Sequence, residues 1–276
     1  MDRNKVGFIG GGNMARAIAG GLVRSGFGAG NILISEPVAE QREVLRDEFA
    51  GSVISNSNTE VATAAGNLLL AVKPQILGAV CRRLKPTVQE HKPVVISIAA
   101  GARVDDIDSW LGGGMEIVRV MPNQPALIDQ GISALIANDR ANEFGKILAE
   151  KVMSAVGQVV WLEDEALMDA VTAISGTGPA YFYLLIDAMI ESAVRLGIER
   201  ETARALVLQT ARGATALASA ESEVMSVLIE RVRSPGGTTA AAFDHLEATD
   251  VRGIFAVAIE AARDRSVTLA AEAGAD

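Results

Sequence analysis

The sequence predicts a parallel β-sheet covered by helices over its first part and an all-helical second part. Three observations predict it. Short β-rich runs alternate with helical patterns up to about residue 163, as strand–helix–strand units do. Beyond that point no strand pattern appears. The composition is rich in small residues, with 27 glycines and only 4% aromatics, which suits closely approaching helices better than a β-sandwich. At 276 residues, 49% of them hydrophobic, the chain can bury one large core or two medium ones.

Strands are read at residues 5–10, 31–35, 67–72, 94–98, 117–120 and 132–136, with a last one at 156–162. Val94, Val95, Ile96, Ser97 and Ile98 are nearly all apolar, as expected of a strand buried on both faces. Intervening segments such as 15–25, 39–49 and 75–84 read as helices. Glu163, Asp164 and Glu165 form an acidic start suited to a helix N-terminus. Helices are then expected at 166–174, 180–196, 201–218, 224–232, 239–246 and 251–271. The boundary falls near 163 and gives domains 1–163 and 164–276. No flexible linker marks it, so tight packing is expected.

The helix after Pro179 is apolar all round in its first turns, and Asp187, Glu191 and Arg195 leave it one narrow polar stripe. Two readings fit: burial against a partner subunit, or a central place in a monomeric bundle. The partner subunit accounts better for so apolar a helix in so small a domain. Gly213 lowers the propensity of its helix by roughly 1 kcal/mol relative to Ala, and close helix–helix contact would explain it.

Composition excludes several classes. Acidic residues outnumber basic ones 34 to 25, a net charge of −9, and no Lys/Arg run offers a nucleic-acid surface. Cys81 is alone, so neither an intramolecular disulfide nor a cysteine metal cluster is expected; His91 and His245 show no ligand spacing, so no metal is expected. The apolar run after Lys5 is too short for a signal segment and is broken by three glycines. The longest apolar stretch, 170–186, is interrupted by Gly176, Gly178 and Pro179, so no membrane span is expected and the reading is a soluble cytoplasmic protein.

The first strand runs into Gly10-Gly11-Gly12-Asn13-Met14-Ala15, a G-x-G-x-x-A pattern opening a helix. Gly10 permits the tight turn, Gly12 lets backbone approach a pyrophosphate, and Ala15 keeps helix and strand close. The phosphates would sit on the helix N-terminus. The first domain is therefore read as an α/β Rossmann-type dinucleotide-binding domain.

The second strand ends at Glu36, whose carboxylate would hydrogen-bond a ribose 2′-hydroxyl and repel a 2′-phosphate. Taken alone it says NADH. Arg42 is the nearest cation for a phosphate. Asn58 is either a neutral donor to the cofactor or an N-cap. Two further strand ends, Ala71-Val72-Lys73-Pro74 and Ala99-Ala100-Gly101, face the ligand crevice and leave room for a nicotinamide. Lys73 is either a ligand contact or a solvated lysine.

The second domain contains no lysine, no cysteine and one histidine. A reaction needing no strong protein base fits that inventory, and imine reduction qualifies: a protonated C=N⁺ is already electrophilic, so positioning and electrostatics do the rest. Two Gly-rich segments would frame such a substrate, 175–179 and 234–239. The second has the form of an anion nest suited to a carboxylate. The alternative for both is a plain turn with a Thr N-cap.

Gly10 to Ala15, Ala71 to Pro74, Met121-Pro122-Asn123, Ser175-Gly176-Thr177-Gly178-Pro179 and Ser234-Pro235-Gly236-Gly237-Thr238-Thr239 together resemble the pyrroline-5-carboxylate reductase family, in order and over nearly the whole chain. The resemblance implies reduction of 1-pyrroline-5-carboxylate to L-proline, the last step of proline biosynthesis. It also implies a Rossmann domain followed by an all-α dimerisation and substrate domain, intertwined in a homodimer or larger homo-oligomer. Carried over by motif, Ile9, Gly10, Gly11, Gly12, Asn13 and Met14 hold the pyrophosphate, and Glu36 and Asn58 meet the adenosine end. Ala71, Val72, Lys73, Pro74, Ala99, Ala100, Gly101, Pro122 and Asn123 line the nicotinamide side. Ser234, Gly237, Thr238 and Thr239 hold the cyclic imino acid, with the Thr239 hydroxyl on the ring nitrogen as the catalytic contact. Two positions depart from the family pattern: Gln124 stands where Thr is common, and Glu36 where a phosphate-tolerant side chain suits the usual NADPH, leaving NADH open. The alternatives are a reductase of another imine and a non-catalytic NAD(P) sensor.

Overall fold

The structure, a computed structural model, describes residues 2–274. Its strands are β1 (Asp2–Ile9), β2 (Ile32–Ser35), β3 (Val53–Ser55), β4 (Ala65–Leu70), β5 (Val94–Ser97), β6 (Ile117–Met121), β7 (Gly131–Ala137) and β8 (Gly157–Trp161). Its α-helices are α1 (Asn13–Arg24), α2 (Ala39–Glu48), α3 (Asn58–Ala64), α4 (Pro74–His91), α5 (Val104–Trp110), α6 (Glu143–Ser154), α7 (Leu167–Val171), α8 (Gly178–Arg195), α9 (Arg200–Ala220), α10 (Met225–Val232), α11 (Thr238–Ala248) and α12 (Val251–Gly274).

All eight strands form one sheet in the order β3-β2-β1-β4-β5-β6-β7-β8. The first six are parallel, and the order reverses between β1 and β4, where open sheets of this kind bind ligands. The sheet is not parallel throughout, as the strand–helix alternation suggested. β7 runs antiparallel to β6, because residues 122–130 hold only a short 3-10 turn and a parallel crossover needs a dozen or more. β3 is a further difference. Three residues with an exposed Val53 leave too little pattern to read.

Neighbouring residues of the central strands alternate between two cores, one on each face of the sheet. Phe8, Leu69 and Ile96 join Ile18, Leu22 and Leu45 on one side, while Ile9, Leu70 and Val95 join Leu77, Cys81 and Ile107 on the other. Both faces being covered explains why β4 and β5, apart from Asn67 and Ser97, are apolar throughout.

By packing, the chain forms two compact units, one of residues 1–177 with 262–276 and one of 178–261. Division by residue type, near 163, and division by packing therefore cut at different places. In the second unit only Gly178, Ala203 and Val207 are buried. On α8, Leu184 is 67% exposed, and Phe182, Tyr183 and Leu185 are exposed beside it. The central place in a monomeric bundle is thus not what α8 occupies. Nor does close contact within the chain account for Gly213, where a Cβ would meet nothing within 4 Å.

Candidate active site

The glycine loop lies between β1 and α1, at the reversal of strand order. Gly10 has φ +102°, and a Cβ there would fall 2.8 Å from the Ala71 carbonyl oxygen, so only glycine fits. That carbonyl is held in place, since the Ala71 N–H donates to the Ile9 carbonyl at 2.9 Å. Gly12 differs in kind. It is the N-cap of α1 in extended conformation, offers no side-chain cap, and a Cβ on it would meet nothing within 4 Å. The space above the first N–H groups of α1 is open, and glycine keeps it so. Such a cradle fits a dinucleotide pyrophosphate, with Asn13 and Met14 at the first helical positions.

Glu36 stands beside the loop. Its carboxylate accepts from the Gly11 N–H at 3.1 Å and from the Val38 N–H at 3.0 Å. Arg42, the cation nearest in sequence, donates to the carbonyls of Glu36 at 2.9 Å and Pro37 at 2.7 Å. Its guanidinium thus serves the turn after β2. Asn58 is not the N-cap of α3: Ser57 is, accepting from the Glu60 N–H at 3.2 Å. The Asn58 amide oxygen instead accepts from the Ser35 hydroxyl at 2.7 Å, which ties it to the end of β2.

On the other side of the reversal, β4 stops at Leu70, so Ala71, Val72 and Lys73 form the turn into α4 and Pro74 is the first helical residue. Lys73 is exposed. Ala99, Ala100 and Gly101 follow β5, and Gly101 has φ +80°. Pro122 is buried, and the Asn123 amide oxygen accepts from the Ile132 N–H at 3.0 Å, which makes it a brace between β6 and β7. A cavity of about 790 Å³ opens among Pro74, Ala100, Gly101, Thr172, Thr177 and Ser266, all in the first unit.

The 175–179 segment is not the loop it reads as. Residues Thr172–Gly176 form a π-helical turn, and α8 begins at Gly178. The acidic run 163–165 is also divided: Asp164 accepts from the Ala166 N–H at 2.9 Å, while Glu165 turns to the sheet, pairing with Arg119 at 2.7 Å and accepting from the Val104 N–H at 2.9 Å. Arg119 is buried on β6. A lone cation between Val118 and Val120 was the available sign that a carboxylate must oppose it.

In the second unit, residues 234–239 turn into α11. Gly236 has φ +70°, Gly237 is the N-cap, and Thr238 and Thr239 are the first two helical residues. Neither Thr is an N-cap, because the cap is a glycine and no side chain caps the helix. That leaves backbone N–H groups and two hydroxyls at a helix N-terminus, the arrangement of an anion nest. Arg233 braces the turn by donating to Asp244 at 2.9 Å and Glu247 at 3.2 Å on α11; the Asp244 hydrogen bond raises its pKa further. Cys81 is no nucleophile: burial on α4 pushes its thiol up to about 12. Among the described residues no group of three or more His, Cys, Asp or Glu is placed to hold a metal ion, and no helix is long and apolar enough to cross a membrane.

The chain is similar along its whole length to known proteins. Residues 165–269 match the family described as pyrroline-5-carboxylate reductase dimerisation, and residues 5–101 match coenzyme F420-dependent NADP oxidoreductases. A pyrroline-5-carboxylate reductase of Pseudomonas aeruginosa is 43% identical over 274 residues, covering 99% of this chain and 100% of that one. Among solved structures, a pyrroline-5-carboxylate reductase from Coxiella burnetii superposes with a TM-score of 0.91 at 37% identity, over 97% of this chain and 99% of that one. The Plasmodium falciparum pyrroline carboxylate reductase with NADP bound gives 0.87 at 31% identity, over 96% and 98%.

Proposed function

The chain belongs to the pyrroline-5-carboxylate reductase family, and from that premise we propose that it reduces 1-pyrroline-5-carboxylate to L-proline with NADH or NADPH, closing proline biosynthesis. The turn before α11 carries the substrate assignment. Gly236 at φ +70° and the glycine N-cap aim backbone donors outward, where a carboxylate is the fitting ligand. The Thr239 hydroxyl, one residue into α11, is assigned to the ring nitrogen.

A bound nicotinamide dinucleotide supplies the hydride. The chain's own groups bind and orient. The N–H groups of the 234–239 turn hold the carboxylate, and Thr239 fixes the nitrogen that takes the electron pair as the C=N bond is reduced. The nitrogen is protonated beforehand, so no lysine or histidine is required, in keeping with a chain that has no lysine after Lys151. Cofactor duty falls to 1–163 and substrate and dimerisation duty to 164–276. The bared apolar face of α8 supports a homodimer or larger ring.

For the nucleotide, the geometry at Glu36 favours NADH. Its carboxylate is held in place by two backbone N–H groups, and Arg42 is engaged with carbonyls. A 2′-hydroxyl would find an acceptor there and a 2′-phosphate a like charge. The test is direct: the protein is mixed with 1-pyrroline-5-carboxylate and either nucleotide, absorbance of the reduced nicotinamide is followed, and proline is identified chromatographically. Consumption of neither nucleotide sinks the reading.

A further inference from the structure

The link between α7 and α8 is a built feature. Its π-helical turn, Thr172–Gly176, is closed by the Thr177 N–H, which donates to the Thr172 carbonyl five residues back at 2.9 Å. Single π-turns inside helical segments are rare, and they recur where they aim a functional group. Gly176 packs against the Met121 side chain of β6: a Cβ there would fall 2.5 Å from the Met121 methyl carbon, which would have to move aside. The turn puts Thr177 on the wall of the 790 Å³ cavity, which Pro74, Ala100 and Gly101 also line at the carboxyl ends of β4 and β5.

Three hydroxyls line that cavity, and each donates its proton inside the protein. Thr172 donates to the Met168 carbonyl at 2.8 Å, Ser266 to Asp169 at 2.7 Å, and Thr177 to the Thr172 carbonyl at 3.1 Å. A hydroxyl so engaged presents lone pairs, so this part of the wall accepts hydrogen bonds, while Arg82 and Arg265 supply donors elsewhere on it. The first is the ordinary back-bond of a helical Thr, and the second is held by a carboxylate. Thr177 is the one that the altered helical register delivers. It shares its carbonyl acceptor with its own N–H, which keeps its bond the longest of the three.

We propose that the Thr177 Oγ1 accepts an N–H of the cofactor's nicotinamide carboxamide and thereby orients the ring. The assignment rests on reading the protein as a nicotinamide-dependent reductase, and makes Thr177 a cofactor-positioning residue outside the glycine loop. A carboxamide offers the NH₂ donor that the Thr177 oxygen can accept from, and its orientation decides which ring face meets the substrate.

The experiment measures binding in the absence of substrate. Calorimetric titrations compare NAD⁺ and NADP⁺ with their 3-acetylpyridine analogues, in which a methyl replaces the carboxamide NH₂. The wild type is expected to bind the carboxamide form about 5-fold more tightly, the worth of one neutral hydrogen bond. In Thr177→Val the ratio falls to about one, and in Thr177→Ser it returns. A Thr177→Val protein that keeps the wild-type ratio overturns the proposal. Equal binding of both forms by the wild type overturns it too, and needs no variant. Failure of the wild type to bind any dinucleotide removes the reductase reading itself, a distinct outcome.

Discussion

Replacing Gly12 by Ala separates the two duties of the glycine loop. At Gly12 the backbone is extended, with φ −70° and ψ 179°, and a Cβ meets nothing. Loss of a preferred N-cap residue costs roughly 0.5 kcal/mol. The stiffer unfolded chain returns about 0.4–1 kcal/mol, so the melting temperature is expected to stay within about 2 °C of wild type. The new methyl enters the space above the first N–H groups of α1 and holds a pyrophosphate off at least one of them. One charge-assisted hydrogen bond is worth about 1.5–3 kcal/mol, so dinucleotide affinity drops roughly 10- to 100-fold. Gly10→Ala behaves oppositely. Positive φ costs about 1–3 kcal/mol, and forcing a methyl against the fixed Ala71 carbonyl adds about 1–3 kcal/mol. The protein then melts roughly 5–20 °C lower. Thermal melts and calorimetric titrations with NADH and NADPH read both quantities. Normal nucleotide binding by Gly12→Ala, or a melting loss like that of Gly10→Ala, refutes the reasoning.

Thr239→Ala is expected to lower kcat/KM about 10- to 100-fold, as loss of a hydrogen bond to a charged nitrogen would, with nucleotide Kd nearly unchanged; equal losses in both mean that the hydroxyl does not serve the substrate. Glu36→Ser should move the NADPH to NADH ratio of kcat/KM upward by roughly 10-fold or more through loss of a charged acceptor, and an unmoved ratio shows that Glu36 does not meet the ribose. Cys81 should ignore a thiol reagent at pH 8 in the native protein and react once in denaturant. Because burial raises its pKa from 9.0 to about 12, the stability it contributes is complete below pH 9 and is lost as pH climbs toward 12; native labelling at pH 8 contradicts that burial. Leu184→Arg on the bared face of α8 should reduce the assembly seen by size-exclusion chromatography, and an unchanged elution volume removes Leu184 from the interface.

Much of the first unit was legible because its signals are local. A strand, a glycine pattern and a helix start lie within residues 5–15, and two-sided burial makes β4 and β5 read as apolar runs. The direction of β7 was not legible, since alternating residues fix faces and say nothing of direction; only the shortness of residues 122–130 argued for it. The π-turn was hidden for a related reason. Ser175, Gly176, Thr177 and Gly178 are turn formers by propensity, and no local signal marks the helical path they take. Among the candidate residues, the turns at Gly10 and at 234–239 could be read directly from glycine. Arg42 and Asn123 could not, because their engagement depends on where Pro37 and Ile132 lie in space. Ser57 capping α3 in place of Asn58 is a one-residue shift that two adjacent good capping residues leave undecided.

The scarcity of buried side chains between residues 178 and 261 has a thermodynamic corollary. Apolar helices with so little interior of their own are folded by mass action: whatever covers Leu184, Leu196 and Val257 contributes to the folding equilibrium in proportion to its concentration. Stability then becomes a property of the solution as much as of the chain. The midpoint of unfolding is expected to rise with total protein, and dilution to lower it.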